Sequence, residues 1–134
     1  MTFAIGASVT APAQRVDPAM MHVWAKVLRD PNRIHLDAEV VRARGLGNRV
    51  INQGPANVSY IMNMLLNAFP GGRLSSIKVR FADNVYGDEM VTPTALVEAI
   101  EDTAEGRRIS FNIALHAEGR LVLDGEASVL TPSG

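Results

Sequence analysis

An α+β domain, one buried helix packed on a curved antiparallel sheet, is the architecture this sequence predicts. Helix signals fill the first half of the chain, whereas strand-like alternation and short turns fill the part after Gly72. Between them the segment QGPANVSYIMNMLLNAFPGG is apolar nearly all round a helix, which implies deep burial.

Each element has a local cause. Residues 8–16, SVTAPAQRV, read as a weak first strand or an extended lead-in. Asp17-Pro18 begins a helix, a carboxylate cap followed by proline at the first helical position. Met21, Val23, Trp24, Val27 and Leu28 make that helix amphipathic, and it stops before Pro31. Asp37 caps a short second helix, DAEVVRARG, ended by Gly45 or Gly47. Val50-Ile51 is a short apolar link. Gly54-Pro55 opens the long helix and Pro70-Gly71-Gly72 closes it. Ile77, Val79 and Phe81 alternate as in a strand, with turns at Asn84 and Gly87-Asp88. Three more strands, 90–101, 107–117 and 120–131, complete an antiparallel meander. The tetrapeptide AEGR, at 104–107 and 117–120, is turn chemistry rather than a repeat.

Composition narrows the function. The 134 residues suit one domain, 1–134, and are 47% hydrophobic and 20% charged with a formal net charge of -1. No basic stripe attracts nucleic acid. Zero cysteines exclude disulfides, thiolate metal sites and cysteine nucleophiles. No apolar run spans a bilayer, and the opening MTFAIGASVTAPAQ lacks a signal-peptide pattern, so a cytoplasmic location is expected.

The chemistry concentrates in RDPNRIHLD, residues 29–37. Asp30 and His35 are separated by a Pro-Asn turn that brings side chains together as a regular helix does not at this spacing. Such a pair activates water, the carboxylate orienting it while imidazole handles a proton. It also suits a purely structural role, with Asp30 capping the turn and His35 bonding to it. His22 and His116 make no metal-ligand spacing with His35, and no metal site is expected. In NQGPANVS, 52–59, the helix start at Gly54 offers backbone N–H groups to a docked carbonyl; the alternative is simple capping by Asn52 or a tight entry turn.

DPNRIHLD, followed by the glycine of NQGP and then by the strand-rich half with FADNVYGDEM, resembles the MaoC-like, or (R)-specific enoyl-CoA hydratase, group of hot-dog proteins. The resemblance runs from about Asp17 to Thr131 and rests mainly on Asp30 to Gly54. It implies a hot-dog fold, a curved sheet wrapped around a long central helix, and pairing into a homodimer or a heteromer. It implies hydration of trans-2-enoyl thioesters, or dehydration of (R)-3-hydroxyacyl thioesters, with no metal or redox cofactor. Asp30 and His35 then hold the water, Asn32 stands between them at the substrate, and the Gly54 amide holds the thioester oxygen. The partner is an acyl-CoA or another acyl thioester, with neither nucleic acid nor membrane involved.

Three departures from the family pattern stand out. Pro31-Asn32-Arg33 replaces the common Asn-Pro order, Gln53 stands where histidine commonly precedes the glycine, and Met62 stands where a serine often bonds the histidine. Ser59 or Asn57 is left to take that serine's place. Met62, Met64, Leu65, Leu66 and Phe69 suit either core packing or an acyl tunnel, and Tyr60 and Tyr86 suit the border of a polar acyl group. One competing function is a hot-dog thioesterase, which would need a carboxylate on the central helix; none occurs from Gly54 to Phe69. Another is a non-catalytic subunit of a heteromeric dehydratase, against which the retained Asp30 and His35 argue.

Overall fold

The computed structural model describes residues 3–132. Two short strands, β1 (Ser8–Thr10) and β2 (Gln14–Arg15), precede three helices: α1 (Pro18–Leu28), α2 (Ala38–Ala43) and α3 (Gly54–Ala68). Four long strands follow: β3 (Arg73–Phe81), β4 (Met90–Thr103), β5 (Gly106–Ala117) and β6 (Arg120–Thr131). The lead-in 8–16 is thus two strands, both paired with β4.

Local signals set the helix ends. The Asp17 carboxylate accepts from the Ala19 N–H at 3.0 Å, and the Asp37 carboxylate accepts from the Glu39 N–H at 2.9 Å. Arg29 ends α1 in a left-handed conformation (φ 52°), so its own N–H and that of Asp30 turn back onto the last carbonyls of the helix. A one-turn 3₁₀ helix, Arg33–His35, carries the chain into α2.

The sheet is antiparallel and open, in the order β1-β4-β5-β6-β3. Only β4, β5 and β6 form a meander; β3 crosses to the far side of β6, correcting the expected consecutive order. Strand periodicity specifies faces but not neighbours, and here the crossing lets α3 lie over the sheet. Inward residues Ala95, Val97, Ile109, Phe111, Ile113, Leu115 and Ala127 join Ile61, Met64 and Leu65 of α3 in one core. Each large side chain fully buried there contributes about 1.5–3 kcal/mol. The central helix is less enclosed than its composition implies, since Asn63 and Leu66 face outward.

Strands β6 and β3 approach closely in backbone terms at Gly125 (φ 157°). A Cβ there would lie 2.0 Å from the Lys78 carbonyl oxygen, so only glycine lets β6 and β3 approach this closely. This is the hot-dog fold, a curved sheet around one central helix.

Candidate functional site

The left-handed end of α1 sends the chain directly into the Asp30 turn. The Asp30 carboxylate accepts from the Asn32 N–H at 3.0 Å, and the Asn32 carbonyl-type Oδ1 accepts from the Ile34 N–H at 3.3 Å. These two local bonds fold Pro31-Asn32 back so that residue 35 returns toward residue 30. Asp30 Oδ2 then stands 3.3 Å from His35 Nε2.

The histidine ring is fixed from its other side. Its Nδ1 lies 2.7 Å from the Ile51 carbonyl oxygen. A carbonyl only accepts, so Nδ1 carries the hydrogen and donates. In the neutral ring Nε2 therefore keeps its lone pair, facing the carboxylate; in the charged ring Nε2 donates to it. The Ile51 N–H also donates to the Ile34 carbonyl at 2.9 Å, which makes a two-point clamp. Ile51 in turn bridges to Tyr86, and the Asn52 N–H donates to Val85 O. The link at Val50-Ile51 is thus part of the site, although neither side chain there hints at it.

Gly54 opens α3 three residues after Ile51. Gln53 precedes it as the cap residue but makes no side-chain capping bond, so capping by Asn52 or its neighbour is not what the helix start shows. The Asn52 amide instead donates to Asn57 Oδ1 at 2.8 Å, and the Gln53 amide donates to the Met21 carbonyl at 2.8 Å. A Cβ on Gly54 would meet the Phe81 ring at 3.1 Å. Phe81, 54% exposed, therefore stands over the helix start as an apolar wall.

Other expected participants sort by contact. Ser59 Oγ donates to Ala56 O of its own helix at 2.6 Å, and Asn57 bonds Asn52; neither supports His35. Met64, Leu65 and Phe69 are core residues, which leaves Met62 and Leu66 outside the buried cluster. Tyr60 is half-buried against the core, and burial pushes its phenol up, partly offset by the nearby Asn52 side chain. The Tyr86 hydroxyl donates to the Leu46 carbonyl. Among the described residues no cluster of His, Asp and Glu is arranged to hold a metal ion. A groove of about 600 Å³ lies on the outer face of the sheet, lined by Ser76, Lys78, Glu98, Ser110, Glu126 and Ser128; it contains none of Asp30, Asn32, His35 and Gly54.

The arrangement combines a carboxylate, a tautomer-fixed imidazole and an uncapped helix start beside an apolar ring. Such a set can hold a water, move its protons and stabilise charge on a carbonyl oxygen. No carboxylate occurs along α3, so the direct attack on a thioester carbonyl that a helix carboxylate would guide has no agent there.

Comparison with known proteins agrees with the fold. The family described as MaoC like domain matches residues 2–114. The mitochondrial 3-hydroxyacyl-[acyl-carrier-protein] dehydratase of Arabidopsis thaliana is 30% identical over 115 residues, covering 82% of this chain and 67% of that one. Among solved structures, the (R)-hydratase of A. caviae has a TM-score of 0.88 at 21% identity and covers 98% of each chain. The ChsH1-ChsH2 complex of Mycobacterium tuberculosis contains a chain with a TM-score of 0.83 at 18% identity, covering 97% of this chain and 99% of that one. Among the described residues no helix is long and apolar enough to cross a membrane.

Proposed function

Because the chain belongs to the MaoC-like dehydratase family, we propose that it hydrates trans-2-enoyl-CoA, or dehydrates the (R)-3-hydroxyacyl thioester, using Asp30 and His35. The family relationship supports hydration or dehydration of an acyl thioester. The observation that carries the finer reading is the pair itself: a carboxylate 3.3 Å from a histidine nitrogen whose ring the Ile51 carbonyl fixes.

In the hydration direction one water sits between Asp30 Oδ2 and His35 Nε2, over C3 of the enoyl group. Its oxygen forms the new C3–O bond while the pair takes one proton. The C2–C3 π electrons move toward the thioester oxygen, where the Gly54 N–H donates to the developing enolate. Return of a proton to C2 from the same pair gives syn addition and restores the thioester. Asp30 and His35 serve the same water, so each depends on the other for the step. Asn32 is exposed at the turn, and with Oδ1 engaged its amide N–H groups remain to meet the substrate.

The active unit is a single domain over 1–134 that assembles as a homodimer or with a related subunit. Sedimentation giving a mass above 14.4 kDa is the expected result. The test of the reaction is product analysis after incubation with an enoyl thioester. The (R)-3-hydroxyacyl thioester supports it; the (S) product, or free thiol without hydrated thioester, overturns it.

A further inference from the structure

We propose that the exposed face of α1, together with Lys26, Arg29 and Arg44, is a docking surface for a small acidic protein that carries the acyl thioester. The inference rests on the thioester hydratase reading and adds the form in which substrate arrives.

Two independent features coincide here. The first is apolar. Helix α1 buries Met21 but leaves Met20, Val23 and Val27 exposed at 48%, 49% and 69%. Positions separated by three and four residues share one helix face, so these form a row rather than scattered surface residues.

The second is charge. On the sheet, Arg73, Arg80, Arg107, Arg108 and Arg120 each pair with a carboxylate, leaving Lys78 as the exception among the described residues. Around the catalytic turn the pattern reverses. Arg33 and Arg42 are paired, but Lys26, Arg29 and Arg44 have no carboxylate partner among the described residues. Lys26 lies between Val23 and Val27 along the chain, and Arg29 immediately precedes Asp30. Arg44 reaches the Asn32 side chain at 3.4 Å. Unpaired positive charge therefore borders both the apolar row and the turn that holds the acid/base pair.

An acidic protein uses both features, with its carboxylates on the cations and its own apolar residues on Met20, Val23 and Val27. The phosphates of free CoA would engage the cations alone and leave the row exposed. A second copy of this chain would bring like charges together. Attraction at this rim also steers a charged partner toward the site and makes its capture sensitive to salt.

The test compares one enoyl group on three carriers: an acidic acyl carrier protein, CoA and pantetheine. The variant is Lys26→Glu with Val27→Ser, both fully surface positions. The expected result is a fall of about tenfold or more in kcat/KM for the carrier-protein substrate, with pantetheine turnover unchanged. An equal loss with CoA, or no loss with the carrier protein, overturns the proposal. If wild type turns over none of the three, the hydratase reading fails separately. Docking is then decided by NMR titration of the protein with the carrier protein. Saturable shifts on α1 that the variant abolishes support it, and their absence overturns it. So does a fall in sedimentation mass caused by Val27→Ser alone.

Discussion

Glu89 and Asp30, each beside a cationic or ionisable partner, are built in opposite ways. Glu89 is 3% exposed, and its two oxygens take the Arg120 guanidinium at 2.8 and 2.9 Å together with the Tyr86 N–H at 2.8 Å. Arg120 reaches further to Asp83 and to the Asn84 carbonyl, so one ion pair ties loop 82–89 to the start of β6. Asp30 is different. Its side chain is 34% exposed, one oxygen is held by a single backbone N–H, and the other faces His35 across 3.3 Å. A saturated, buried carboxylate has nothing left to offer a substrate and holds the fold. An accessible carboxylate beside a clamped imidazole retains capacity for a water and its protons.

The contrast breaks most visibly in activity. Asp30→Asn is expected to lower hydration by roughly 10²–10⁴-fold while the melting temperature changes little. Glu89→Gln should do the reverse, keeping kcat per folded molecule. Paired rate and thermal-unfolding measurements on both variants separate the two roles.

Stability is most sensitive where backbone meets backbone. Gly125→Ala places its Cβ against the Lys78 carbonyl, and chemical denaturation should show a loss of about 2–4 kcal/mol. Glu89→Gln is next, at about 1–3 kcal/mol, because it leaves the Arg120 charge with less of its compensation. Arg120, through its hydrogen bonds, holds the Glu89 carboxyl below its ordinary range against the opposing pull of burial. The folded value is therefore lower than the unfolded one. The contribution is fully present above the unfolded value, about 4.3, and is lost as pH falls through the folded value. Melting temperature against pH should accordingly drop on acidification below about pH 4. That drop should flatten in Glu89→Gln.

The smallest effect is expected at Ser59. Its hydroxyl returns to its own helix at Ala56 O, so Ser59→Ala should change stability by less than about 0.5 kcal/mol and leave turnover intact. A large loss of activity would show that the hydroxyl serves His35 after all.

Much of this was legible in sequence because its causes are local. Asp17 and Asp37 cap the helices their positions predict, and Pro31 falls beyond the end of α1. The Asp30–His35 approach was legible for the same reason, since two bonds within the turn produce it. What was not legible depends on distant backbone. The Ile51 carbonyl that orients His35 belongs to a residue whose side chain advertises nothing, and every residue carries a carbonyl. Glu89 meets Arg120 only because β6 begins beside loop 82–89. The placement of β3 outside β6 likewise follows from packing around α3, which strand periodicity does not encode.

The most direct test of the central claim is a double-mutant cycle on hydration of an enoyl thioester that the wild type turns over. Asp30→Asn, His35→Ala and the combined variant are compared at matched folded fraction. If both groups hold one water, the double variant loses far less than the product of the two single losses. Near-wild-type kcat/KM in either single variant, or losses that multiply independently, would contradict it.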